Sequence, residues 1–169
     1  MKKNTHALCT LTLILGAFGC GGFARYHLVS DEYGFSVEFP DKPNKQVGTN
    51  YQGLSRSLWT LQKDSSKEFF SAEATNYREP LNAEPNWIPN GENLASVGMQ
   101  TVERTHLKLR AASTGREVLA IATTARQALS GDVVRSIYVV DGSTLISVTA
   151  RTADEQRRDA FLKSLTLLR

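Results

Sequence analysis

A chain of 169 residues with 41% hydrophobic and 22% charged side chains has the make-up of one ordinary globular domain, not of a disordered or fibrous protein. Its 20 Lys and Arg against 17 Asp and Glu leave a formal net charge of +3, too small a surplus to point to nucleic acid. Two cysteines and three histidines exclude a disulfide framework and leave no pair with zinc-ligand spacing.

The first 20 residues differ from the rest. Lys2 and Lys3 precede an apolar run from Ala7 to Phe18, and Gly19, Cys20, Gly21 and Gly22 follow, which is the layout of an export signal. The run is 12 residues long where a membrane-spanning helix needs about 20, so it reads as a leader, residues 1–19, that is cut away. Ala17-Phe18-Gly19-Cys20 resembles a bacterial lipobox, with Ala17 where Leu is usual and a bulky Phe18. Cleavage before Cys20 would place diacylglycerol on its thiol and anchor the chain to a membrane. The alternative is cleavage after Ala24, where Gly22-Phe23-Ala24 meets the small-x-small pattern and a soluble secreted chain results. The other cysteine, Cys9, lies inside the leader, so the mature chain has no internal disulfide to form, and acylation caps its single thiol. Residues 20–27 read as the lipidated N-terminus and a short tether, and 28–169 as a single globular domain.

Within that domain Tyr33 to Phe39 alternates, with Phe35, Val37 and Phe39 on one face, and Pro40 ends it: a strand. Ser57 to Gln62 and Glu68 to Asn76 read as a hairpin about the polar turn Lys63 to Lys67, with Trp59 in the core. All five prolines fall between Pro40 and Pro89, and Glu79 to Gly91 holds three of them, so that stretch reads as a stiff loop. A helix is predicted from Asn90 through Leu94, Val97, Gly98 and Val102 to about Arg104. From Thr105 the period becomes two and predicts a strand to Ala111; Ser113-Thr114-Gly115 turns the chain into another over Arg116 to Arg126. Val133 to Val140 and Thr144 to Ala150 form a hairpin for which Asp141-Gly142 suggests a type I′ turn. Thr152 and Glu155 form a capping box opening a final helix, which Phe161 and Leu165, with Ala160 and Leu162, pin to the sheet. The sum is an α+β fold: an antiparallel β-sheet of about seven strands flanked by helices.

Catalytic machinery is not legible. His27 stands beside the tether, and His106 alternates with Lys108 and Arg110 on a wet strand face; no nucleophile elbow or phosphate-binding loop occurs. Asp31-Glu32 and Asp154-Glu155 are adjacent acids whose side chains diverge in a strand or complement a helix start, so neither makes a metal site. Residues 25–100 carry a net −3 and 101–169 a net +4, a gradient most simply read as solvated surface. Trp87 and Ile88 in the proline loop are the candidate partner-binding residues, since an aromatic on a stiff loop concentrates binding energy; the competing reading folds Trp87 back onto the sheet.

The opening Tyr33-Gly34-Phe35-Ser36-Val37-Glu38-Phe39-Pro40-Asp41-Lys42-Pro43 resembles the "GFSVEFPGKP" opening of bacterial envelope proteins, Gly115-Arg116-Glu117-Val118 their "PGREV" turn, with Thr114 where Pro is frequent, and Phe161 to Leu165 their closing "FLDSF" helix. In order and spacing these are similar to the PsbP-like superfamily, which takes in an extrinsic photosystem II subunit, the Ran-release factor and DcrB-like lipoproteins. The resemblance implies an α/β/α sandwich and a role in binding or assembly without catalysis; fold alone does not fix the partner. The expectation is therefore a non-enzymatic envelope lipoprotein without cofactor or metal, held to a membrane by lipid on Cys20 and facing the periplasm or exterior. It would bind an envelope protein, with a small-ligand or lipid carrier as the alternative.

Overall fold

The computed structural model describes residues 25–50, 52–63, 67–82 and 98–169. The leader, Cys20, Trp87, Ile88 and the 90–97 part of the predicted middle helix lie outside the described residues. Ten strands and one helix make up the described fold: β1 Tyr26–Ser30, β2 Phe35–Phe39, β3 Asn44–Thr49, β4 Ser55–Lys63, β5 Glu68–Asn76, β6 Met99–Arg110, β7 Glu117–Gln127, β8 Val133–Asp141, β9 Thr144–Arg151, α1 Glu155–Lys163 and β10 Thr166–Leu167. The strands pair antiparallel throughout, in a seven-stranded sheet ordered β3-β4-β5-β9-β8-β7-β6 and a three-stranded sheet ordered β1-β2-β10. The fold is mainly β, with fewer helices among the described residues than a sheet flanked by helices implies.

Period-2 alternation explains the inner face of the large sheet. Trp59, Phe70, Ala72, Ala74, Ala120, Val139, Ile146, Val148 and Ala150 point to one side and are buried. Two layers close over them. Phe39 of β2 and Phe70 of β5 meet Phe161 of α1 edge-on at ring-centroid distances of 5.0 and 5.2 Å, and Phe35 and Tyr33 pack against Trp59 at 5.7 and 6.4 Å. Small Ala residues of the large sheet lie across from these rings and leave room for the aromatics.

The C-terminus closes the small sheet. Leu167 pairs with Phe35, and the amides of Leu168 and Ala112 donate to the carbonyls of Gly34 and Leu167, which joins β10 to the end of β6. Gly34 sits at φ +71 with the Arg169 side chain against it, and a Cβ there would lie 2.6 Å from the Arg169 Nε.

Four expectations need correction. The predicted middle helix does not reach Arg104: Gly98 turns the chain at φ +72, and Met99 onward is the start of the 12-residue β6, paired along β7. Its register shifts between Thr101 and Glu103, where Val102 adds one residue to the strand, and this bulge hid the alternation of the first six residues. In the β8–β9 hairpin Asp141 is the last ladder residue, opposite Thr144, and the two turn residues are Gly142 and Ser143. Only Gly142, at φ +61, is positive, the pattern of a type II′ turn and not type I′. The helix cap is Asp154, whose carboxylate accepts from the Arg157 amide at 3.0 Å; Thr152 instead donates to Glu68 and accepts from the Asp154 amide. Lastly, Ala160 is exposed and Leu165 lies just past the helix, so Phe161 and Leu162 carry its packing.

Candidate functional site

The helix is short and the sheet is wide, so α1 packs on β9, β8 and Phe70 of β5 and leaves the part of the inner face around Leu107 and Ala122 open beside it. The result is a groove of about 400 Å³. Its floor is apolar, from Leu107 of β6, Ala122 of β7 and Ile137 of β8, and Leu162 of α1 forms the wall. The rim is charged: Glu103, Arg135, Asp159 and Lys163. Arg135 donates to Asp159 at 2.9 Å and so ties β8 to the helix. The groove runs along β6, which ends the sheet and therefore has an unpaired backbone edge among the described strands.

Two smaller clefts flank the first turn of α1. One, of about 260 Å³, lies where the chain enters the fold and is lined by Arg25, Glu38, Pro40, Asp154 and Arg157; Arg25 donates to Glu38 at 2.9 Å. The other, of about 270 Å³, lies on the opposite side under the β7–β8 turn and is lined by Lys67, Asp132, Arg151, Glu155 and Arg158. Arg158 is 2% exposed, donating to Glu155 at 3.0 Å with Asp159 3.7 Å from its Nε. Between the clefts Arg157 donates to both Glu68 oxygens at 2.9 Å, holding the start of β5 against the helix.

The residues singled out by sequence separate accordingly. His27 on β1 and His106 on β6 are exposed and belong to different sheets, so they share no site. Among the described residues no three of His, Cys, Asp and Glu are grouped to hold a metal ion. Trp59 is core, 4% exposed. Arg116 donates to both carboxylate oxygens of Asp141 at 2.8 and 2.9 Å, while Glu117 accepts from Lys108. The groove went unrecognised in the sequence. Its only local signal was the alternation Glu103, Thr105, Leu107, in which charge, hydroxyl and apolar side chains share one face.

No protein-family model matches the chain, and no curated protein sequence matches it. Among solved structures, the solution structure of cyanobacterial PsbP (CyanoP) from Synechocystis sp. PCC 6803 matches with a TM-score of 0.55. The match covers 90% of this chain and 98% of that chain at 10% sequence identity. The fold is thus PsbP-like; at that identity the likeness extends to the fold alone.

Proposed function

We propose that this protein is a non-enzymatic lipoprotein of the bacterial envelope, akin to the DcrB-like lipoproteins, anchored by diacylglycerol on Cys20 and binding a partner protein through its folded domain. The observation that carries the binding half is the groove beside α1, an apolar floor with a charged rim along an open strand edge. Such a surface suits an extended segment of another protein, whose backbone can add to β6 while alternate side chains enter the groove. The carrier reading is less well supported. A small-ligand site encloses most of its ligand, whereas the groove lies open beside α1 and Phe35, Phe39, Phe70 and Phe161 fill the space between the layers.

The test has two parts. Metabolic labelling with palmitate should mark the wild-type protein and not Cys20→Ser; an unlabelled wild-type protein recovered in the soluble fraction refutes the anchor. A photo-crosslinker at Thr105, exposed on β6 at the groove, should trap a discrete envelope protein, and Leu107→Asp should abolish the adduct. Crosslinks to lipid or small molecules only would favour the carrier.

A further inference from the structure

The hairpin joining β7 and β8 ends in a turn that presents Leu129 to solvent at 99% exposure. The turn is built to hold it there. Gly131, at φ +71, donates its amide to the Gln127 carbonyl, the Gln127 amide donates to the Asp132 carbonyl, and the Ser130 hydroxyl donates to the Gln127 side chain while accepting from the Asp132 amide. A single exposed apolar side chain is unremarkable on a protein surface. Its surroundings distinguish this one.

Directly under the turn lies the cleft with Lys67, Arg151 and Arg158, in which Ser130 to Val133 form one wall. The Nε of Arg151 is buried without a hydrogen-bond partner, and among the described residues no ion pair engages Lys67 or Arg151, whereas Arg158 is held by Glu155 and Asp159. Asp132 and Glu155 also line the cleft, so its net charge is +1. Two cations without an ion pair at one cleft favour an anion there, and a phosphate is the acceptor that best matches a guanidinium fork.

The third observation is where the chain enters. Arg25 lines the cleft on the other side of the same helical turn, so the N-terminus of the described fold and the β7–β8 turn share one end of the molecule. Cys20 is five residues before Arg25, a span of at most about 17 Å when fully extended. An acyl anchor at Cys20 would keep this end near the bilayer.

We propose that this end of the fold seats on an anionic lipid surface, with Leu129 entering the interface and Lys67 and Arg151 of the cleft receiving a lipid phosphate. The argument from proximity rests on the Cys20 anchor proposed above; the turn and the cleft stand without it. Orientation on the membrane, not attachment to it, is what these residues supply.

The test uses the full protein as exported, carrying Leu129→Cys or, as a control at the far end of β6, Ser113→Cys, each labelled with an environment-sensitive fluorophore. With Cys20 acylated, the introduced thiol is the one available for labelling, and the parent protein carried through the same labelling reports any free Cys20. In vesicles containing phosphatidylglycerol, the probe at 129 should shift to the blue and be quenched by bilayer-embedded spin labels about tenfold more than the probe at 113. Lys67→Gln with Arg151→Gln should remove the dependence on phosphatidylglycerol. If the acylated protein in these vesicles gives a water-like signal at 129, the inference is overturned and the anchor stands. If the protein proves unacylated yet the probe at 129 still responds when vesicles are added, the anchor falls and the inference stands. An unacylated protein without that response overturns both.

Discussion

Phe161 is the point at which the three layers meet, and its truncation should be among the most damaging single changes in the described core. Its ring is 2% exposed and lies edge-on to Phe39 at 64° and to Phe70 at 70°, one ring from the small sheet and one from the large. Phe→Ala in a core typically costs about 3–5 kcal/mol, from lost transfer energy and the cavity left behind. Two edge-on aromatic pairs worth about 0.5–1.5 kcal/mol each place this site toward the upper end. The site has little freedom to collapse, because Phe39 and Phe70 sit on paired strands whose backbones are fixed by their ladders. For a domain of this size a loss of about 4 kcal/mol corresponds to a fall in Tm of roughly 10 °C. Urea unfolding followed by far-UV circular dichroism would measure it, with Phe161→Leu as a milder control near 1 kcal/mol. A midpoint for Phe161→Ala within 1 kcal/mol of wild type, at unchanged denaturant slope, would refute the packing of α1 described here.

Asp154→Ala should cost about 1 kcal/mol by freeing the Arg157 amide, read as a lower urea midpoint; no loss would move the cap elsewhere. Gly142→Val should cost about 1–3 kcal/mol through backbone strain alone, since a Cβ at Gly142 meets nothing within 4 Å; a wild-type Tm would remove the positive φ. The Tyr138 phenol is raised above its ordinary 10.0 chiefly by burial, with the hydroxyls of Ser136 and Thr123 pulling the other way and the Glu73 charge adding to the rise. The folded state thus holds this proton more tightly than the unfolded chain. Its contribution is complete below pH 10 and is lost as pH climbs through that value toward the folded pKa, a loss that Tyr138→Phe should remove in alkaline denaturation.

The parts of the fold written in apolar alternation were legible. β5 lies where the sequence placed it, at Glu68–Asn76, and β4, β7, β8 and β9 differ from expectation only at their ends, because alternate side chains of each, Trp59, Phe70, Ala120, Val139 and Ile146 among them, enter the core. β3 left no such trace: all six residues of Asn44–Thr49 are exposed, so nothing in their side chains marks a strand, and backbone pairing to β4 alone makes it one. β1 begins at Tyr26 and buries only Leu28 and Ser30, and β10 is two residues long. Long-range pairing decides such elements, and a local window cannot see it. The groove escaped for a related reason. Leu107, Ala122, Ile137 and Leu162 come from four elements, and what makes them a site is the narrowness of α1 against the width of the sheet.

The same width explains why recognition in the groove would be set by two charges and not four. Arg135 and Asp159 already satisfy one another at 2.9 Å, so a partner gains little from either without breaking a bond that braces the helix. Glu103 has only the weak approach of the Thr105 hydroxyl at 3.4 Å, and exposed Lys163 is engaged by no ion pair among the described residues. These two are the charges an incoming segment would meet. A bound strand along β6 would therefore be favoured with a cation facing Glu103 and a carboxylate facing Lys163, a polarity that selects its direction as well as its sequence. Rim charges of this kind act mainly on encounter rate and orientation, while the affinity would come from what enters between Leu107, Ile137 and Leu162.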